Sequence, residues 1–296
     1  RAFPAGLEQP EGSFRFSVDA LLLAAFAASR TADVTIRFID LGTGCGVVGL
    51  AYLLLKSNKC RGFGMDCNPE LIDVAQKNTA KLGFSDRFAL HTGELAETRF
   101  LENLRMEASP VQLVMANPPW CLVGSGRLPA TEARRKALFG DKGTFPLFAS
   151  AASLLLEEDG RFVCIISPDR LQDMLAALDG AGLTPYLLQY IHKQKTSPAT
   201  FVLIEARKGA HAKPSVAEPI ALYGPERFFT LESLAFCLVL RYEILSRRSA
   251  CPFALFPRHQ RQAQYPQSCG MEYDQRPLRH VHRRFHPSGM AGRAAA

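Results

Sequence analysis

Apolar residues along the first two thirds of the chain alternate between short, nearly continuous runs and longer stretches with helical spacing. Residues 19–29 (DALLLAAFAAS) are rich in Leu and Ala, with Ser17 as a candidate N-cap, and predict a helix. TIRFIDLG (35–42) predicts a strand that ends in glycines, and GVVGLAYLLLKS (46–57) a helix whose apolar residues can face a sheet. CRGFGMD (60–66) reads as a second strand, and PELIDVAQKNTAKLG (69–83) as a helix closed by Gly83. RFALHTGEL (87–95) and VQLVMANPPW (111–120) read as a third and a fourth strand. PLFASAASLLLEEDG (146–160) is a helix stopped by Gly160, RFVCIISP (161–168) a fifth strand, and DRLQDMLAALDGAG (169–182) a helix. TPYLLQYIHK (184–193) and TFVLIEARKG (200–209) are two last strands joined by QKTSPA. This order predicts an α/β fold with a mostly parallel sheet covered by helices on both faces. The last two strands lack a helix between them, so they should pair antiparallel at one edge. Residues 216–240 are expected to form a small cap, with no strong linker before about residue 241.

Charge divides the chain at that point. Residues 1–240 hold 25 Lys+Arg and 25 Asp+Glu; residues 241–296 hold 10 Arg, no Lys and 3 acids, so 10 − 3 = +7 is the whole net charge. The segment also has four of the seven histidines and five prolines, without periodicity, and reads as a disordered basic tail. Such a tail can bind nucleic acid by counterion release, or be a solvated or non-native extension. The longest apolar run, Ala20–Ala28, is too short to span a bilayer. It resembles a signal-peptide core, but Asp19 interrupts its start. Eight cysteines include no CxxC pair, so no zinc ribbon, redox motif or metal site is expected, and they read as reduced, buried and cytosolic.

Asp40-Leu-Gly-Thr-Gly-Cys-Gly follows the first strand. Gly42, Gly44 and Gly46 allow a sharp turn and close approach of a ligand to the N–H groups that open the next helix. Asp66, at the end of the second strand and 20 residues after Gly46, suits a ribose hydroxyl. Two cofactor classes share this layout. A carboxylate at position 40 favours the ammonium of S-adenosylmethionine and would repel the pyrophosphate of a nicotinamide or flavin dinucleotide. Glu94 is a third acid at a strand end, placed for the adenine or ribose edge or simply solvated.

Asn117-Pro118-Pro119-Trp120 ends the fourth strand, and Trp120 is the single tryptophan. As a plain turn it needs no function. As a site, the Asn117 side-chain oxygen and the Pro118 carbonyl accept hydrogen bonds from a planar NH₂ group, the prolines stiffen the corner, and Trp120 offers a stacking face.

The glycine motif, the acid ending the second strand and Asn-Pro-Pro-aromatic after the fourth together resemble class I S-adenosylmethionine-dependent methyltransferases of the NPPY type, which methylate exocyclic or amide nitrogens. The resemblance covers roughly residues 12–240 and implies a Rossmann-like, seven-stranded methyltransferase sheet with an antiparallel edge hairpin. Only 39 residues precede Asp40, too few for the helical domain of release-factor glutamine methyltransferases. FRFSVDALLLAAFA (14–27) looks like the opening of the tRNA adenine-N6 methyltransferases acting on a valine tRNA, where Phe16 and Asp19 would cover the cofactor. The family commonly has tyrosine where this chain has Trp120. GSGRLPATEARRKALFG (124–140) resembles that family's arginine-containing loop. Arg127, Arg134, Arg135 and Lys136 would hold phosphates beside a flipped nucleotide, or form a solvated basic face. The resemblance thus implies S-adenosylmethionine as cofactor and tRNA as partner. Guanine in ribosomal RNA, adenine in DNA, a protein glutamine and a non-catalytic RNA-binding role stay open. Removing residues 241–296 is expected to leave labelled-methyl transfer to tRNA largely intact; a large loss would make the segment a binding arm.

Overall fold

The computed structural model describes residues 6–10, 18–32, 35–56, 59–119, 142–210, 213–226 and 228–236, and the backbone of 121–122 and 139–140. Helix α1 (Val18–Arg30) is followed by β1 (Arg37–Leu41), α2 (Val47–Leu55), β2 (Arg61–Asp66), α3 (Pro69–Lys81) and β3 (Phe88–Thr92). Next come α4 (Thr98–Ala108), β4 (Leu113–Ala116), the two-residue strands β5 (Cys121–Leu122) and β6 (Phe139–Gly140), α5 (Thr144–Leu155) and β7 (Arg161–Ile166). A single 3₁₀ turn (Pro168–Arg170) leads into α6 (Leu171–Gly180) and the hairpin β8 (Leu183–His192) and β9 (Ala199–Lys208). β10 (Ser215–Val216), β11 (Ile220–Ala221) and α7 (Leu231–Phe236) close the described part.

The main sheet runs β10-β8-β9-β7-β4-β1-β2-β3, with β11 also on β8. Every pairing is parallel except those of β9, which is antiparallel to β7 and to β8. The seven long strands and the antiparallel hairpin match the sequence expectation. The hairpin is not the rim, however, because the short β10 and β11 pair along the outer side of β8.

Continuous apolar runs form β1, β4 and β7 because both faces are covered, and alternate side chains feed opposite layers. Phe38, Leu113, Met115, Val163 and Ile165 pack with α1 and α2. Ile39, Leu41, Val114, Ala116, Phe162, Cys164 and Ile166 pack with α4, α5 and α6. Helix α4 has no counterpart in the sequence reading. It buries Leu101, Leu104 and Ala108, with Phe100 half-buried beside them, among mostly polar and exposed positions, a narrow stripe that periodicity detects poorly. Helix α5 ends at Leu155 rather than near Gly160, because the Glu157 N–H bonds to the Val111 carbonyl and draws the chain toward β4. The cysteine expectation needs one correction: Cys45, Cys60 and Cys164 are buried, but Cys67 is exposed because it follows β2 at the open end of the sheet.

Helix α1 is fixed at its C-terminus by charge. Glu205 on β9 is fully buried and meets Arg30 of α1 at 2.6 Å, Arg207 at 2.7 Å and Arg161 of β7 at 3.3 Å. The carboxylate is thus matched where an unpaired one would be costly. Glu205→Ala is expected to destabilise the fold by about 3–5 kcal/mol, read as a lower urea midpoint, because it leaves the guanidinium groups without their shared partner.

Candidate active site

The site forms where the strand order reverses. β1 lies between β2, which follows it, and β4, which returns on its other side, and ligands of open α/β sheets bind at that reversal. Leu41 pairs with Ala116. The glycine turn after β1 and Asn117 after β4 therefore leave the sheet side by side, at adjacent strand ends spaced about 4.8 Å.

Each glycine of the turn has a left-handed backbone: φ is +67° at Gly42, +55° at Gly44 and +84° at Gly46. A side chain at any of them would be strained. A Cβ at Gly46 would press on Leu50 and Ala75, whereas one at Gly44 would stand in open space. The ligand-facing side of the turn is therefore at Gly44.

Buried Asp40 braces the turn from beneath. Its Oδ2 accepts from the Thr43 hydroxyl at 2.7 Å and from the Gly49 N–H at 3.0 Å. Burial pushes its carboxyl up to about 7; the two donors oppose the rise and the nearby Asp66 charge adds to it. Asp66 ends β2, with Oδ2 accepting from the Gly44 N–H and Oδ1 from the Asn68 N–H. Burial raises its pKa as well, and Glu94 adds to the rise. Glu94 itself is exposed, in the turn just past β3 rather than within it. This end of the sheet thus collects mutually repelling carboxylates. It suits a ligand that brings positive charge and hydroxyl donors, and it opposes a pyrophosphate.

Sequence reasoning missed Asn78, although it falls on the buried stripe of α3 with Ile72 and Ala75. Its Nδ2 donates to the Cys45 carbonyl in the glycine turn and to the Glu8 carbonyl, while its Oδ1 accepts from the Glu8 N–H. Lys81 also reaches the Gly6 carbonyl at 2.7 Å. Residues 6–10 are thereby strapped across α3 beside the turn.

Asn117 is partly buried, Pro118 buried and Pro119 partly exposed. The Asn117 Nδ2 donates to Asp19 Oδ2 at 3.1 Å. Asp19 sits in the first turn of α1 and is only 3% exposed. The structure thus brings Asp19, Asp40, Asp66, Asn117 and the glycines together at one end of the sheet, with Glu94 at the margin near Asp66. Phe16, Trp120, Arg127, Arg134, Arg135 and Lys136 lie outside the described residues, as does the segment 241–296. Among the described residues no cluster of three or more His, Cys, Asp or Glu could hold a metal ion, and no helix is long and apolar enough to cross a membrane.

A solved structure from Agrobacterium tumefaciens, described as a predicted O-methyltransferase, superposes with a TM-score of 0.58 at 22% identity, over 75% of this chain and 96% of that one. The fold is that of the class I methyltransferases. No family model matches the chain. The tRNA1(Val) (adenine(37)-N6)-methyltransferase of Porphyromonas gingivalis is 29% identical over 171 residues, 57% of this chain and 64% of that protein. The release factor glutamine methyltransferase of Rhodospirillum rubrum is 27% identical over 189 residues, 61% of this chain and 54% of that protein. The chain therefore spans less than two thirds of the length of each of these two relatives.

The raised pKa of Asp40 gives the methyltransferase fold a testable pH response. Between about pH 4 and pH 7 the folded state keeps a proton that the unfolded chain releases, so stability from this group is full below pH 4 and lost as pH rises. Asp40→Asn keeps the uncharged form throughout. Its unfolding free energy, read from urea melts, is expected to exceed that of the unsubstituted protein by a margin that grows from pH 4 to pH 8, on the order of 2–4 kcal/mol at the upper end.

Proposed function

We propose that the protein is an S-adenosylmethionine-dependent N-methyltransferase that methylates the exocyclic N6 amine of adenine in RNA, with tRNA as the substrate. The observation that supports this reading is the pairing of Leu41 with Ala116, which sets the glycine turn beside the Asn117-Pro118 corner. The similarity to the Porphyromonas gingivalis tRNA enzyme supports adenine as the target base.

The residues present fit the cofactor. Gly44 leaves open space where a side chain would block a ligand. Asp66 and Glu94 offer acceptors for its hydroxyl and amino edges, and Asp40 shapes the turn from beneath. Bound there, S-adenosylmethionine would supply an electrophilic methyl group for the amine lone pair, with S-adenosylhomocysteine as the leaving product.

The chain's part is to prepare the amine. An exocyclic nitrogen shares its lone pair with the ring and is a poor nucleophile. Asn117 Oδ1 and the Pro118 carbonyl accept its two N–H groups, which favours tetrahedral geometry and frees the pair. These oxygens also face the positive charge that develops on nitrogen, and they need no reorganisation to do so. Pro118 and Pro119 hold the corner stiff. The surplus proton passes to water after transfer. Trp120 supplies a stacking surface worth about 1–3 kcal/mol, and Phe16 covers the cofactor. Arg127, Arg134, Arg135 and Lys136 contact phosphates beside the flipped nucleotide.

Asn117→Ala is expected to lower the transfer rate by roughly 10²–10³-fold while S-adenosylmethionine still binds by calorimetry. Equal loss of both would give Asn117 a different role. Trp120→Ala should cost more activity than Trp120→Phe. Incubation with labelled donor and total tRNA, ribosomal RNA, DNA or release factor, followed by mass spectrometry, is expected to place the label on N6 of a tRNA adenine. Label on a release-factor glutamine, as the Rhodospirillum rubrum relative would suggest, overturns the reading.

A further inference from the structure

We infer that Asp19 is a positioning residue that sets which end of the Asn117 amide faces the substrate. The inference rests on the reading of Asn117 as acceptor of the substrate N–H. A primary amide is nearly symmetrical in shape but opposite in hydrogen bonding at its two ends: the oxygen accepts and the NH₂ donates. Turned one way, Asn117 accepts from an incoming amine. Turned the other way, it opposes donor with donor. The corner by itself does not choose between these states.

Asp19 makes the choice. It is 98 positions away in sequence, opens a helix whose residues 20–27 are all buried and apolar, and is itself 3% exposed. Its Oδ2 receives the Asn117 Nδ2 at 3.1 Å. A carboxylate oxygen accepts from the NH₂ end alone, since the reversed amide would set lone pair against lone pair. With NH₂ held by Asp19, Oδ1 takes the opposite side of the amide, as an acceptor. Because α1 is pinned at its other end through Arg30 and Glu205, Asp19 is delivered by a fixed helix rather than by a loop. A buried carboxylate is an expensive way to begin an apolar helix, and a role in orienting Asn117 gives it a purpose.

A swap of the two side chains tests this. Asp19→Leu removes the acceptor and is expected to lower kcat by 30-fold or more, with KM for tRNA changed by less than threefold. Asn117→Asp sets two carboxylates together and should lose at least as much. In the double variant D19N/N117D, the new amide donates to one oxygen of the new carboxylate and leaves its other oxygen as acceptor. That variant is expected to regain at least tenfold over Asn117→Asp alone. An Asp19 that only supports the fold would lower the melting temperature and cofactor affinity together, and the swap would rescue nothing. Rescue is measured against Asn117→Asp, so it decides the matter even where Asp19→Leu does not fold.

Nitrogen-15 NMR of the Asn117 side chain, assigned by its absence from Asn117→Ala, reads the bond without any substrate. Its NH₂ protons should exchange slowly in the unsubstituted protein and faster in Asp19→Leu. Unchanged exchange, or a swap no more active than Asn117→Asp in an otherwise working enzyme, overturns the orientation alone. The expected exchange behaviour in a protein that methylates no amine overturns the proposed function and leaves the orientation standing.

Discussion

The site depends on one register. The parallel ladder that sets Ile39 beside Val114 and Leu41 beside Ala116 aligns the ends of two strands that are more than seventy residues apart in sequence. A shift by one residue would turn every side chain of β4 to the other face and exchange the two core layers. It is prevented because both layers are full: Phe38, Leu113 and Met115 are buried on one side and Ile39, Val114 and Ala116 on the other. The hydrophobic packing that stabilises the sheet is thus also what brings the glycine turn next to the Asn117 corner. The chemistry at the strand ends inherits its precision from methyl groups buried below it.

Charge is handled differently at the two ends of the sheet. Glu205 is satisfied by cations around it, which makes that end a fixed structural tie. Asp40 and Asp66 instead sit close to one another, and among the described residues their hydrogen-bond donors are a hydroxyl and backbone N–H groups. Burial raises the pKa of each, and their mutual repulsion adds to the rise for Asp40. A cationic ligand would relieve that tension, so part of its binding energy comes from carboxylates the fold already holds under repulsion. The proposed donor carries such charge, and the acids thereby link a stability cost to a selectivity.

Much of this was legible in the sequence because it is local. The alternation of apolar runs with helical stretches reports the sheet, and the glycines at 42, 44 and 46 announce a turn that all three adopt with positive φ. Asn117-Pro118-Pro119 stands out because core strands do not normally end that way. Features that depend on long-range partners were not legible. Nothing in DALLL indicates that Asp19 meets a residue 98 positions later. Nothing near Asp66 indicates that its Oδ2 accepts from the Gly44 N–H, 22 positions earlier. Helix α4 was hidden by its charges, and β10 and β11 are too short to have a period. Asn78 left a faint mark as a polar residue on an apolar stripe, but a stripe does not name its partners.

Asn78 has one more implication. Its amide joins the Glu8 backbone to the Cys45 carbonyl, so a single side chain bridges the strap and the glycine turn. Slack in one is shared with the other. Fusing a tag close to Gly6, or trimming the chain past Glu8, would therefore loosen the glycine turn from 37 positions upstream in a protein whose sheet remained intact.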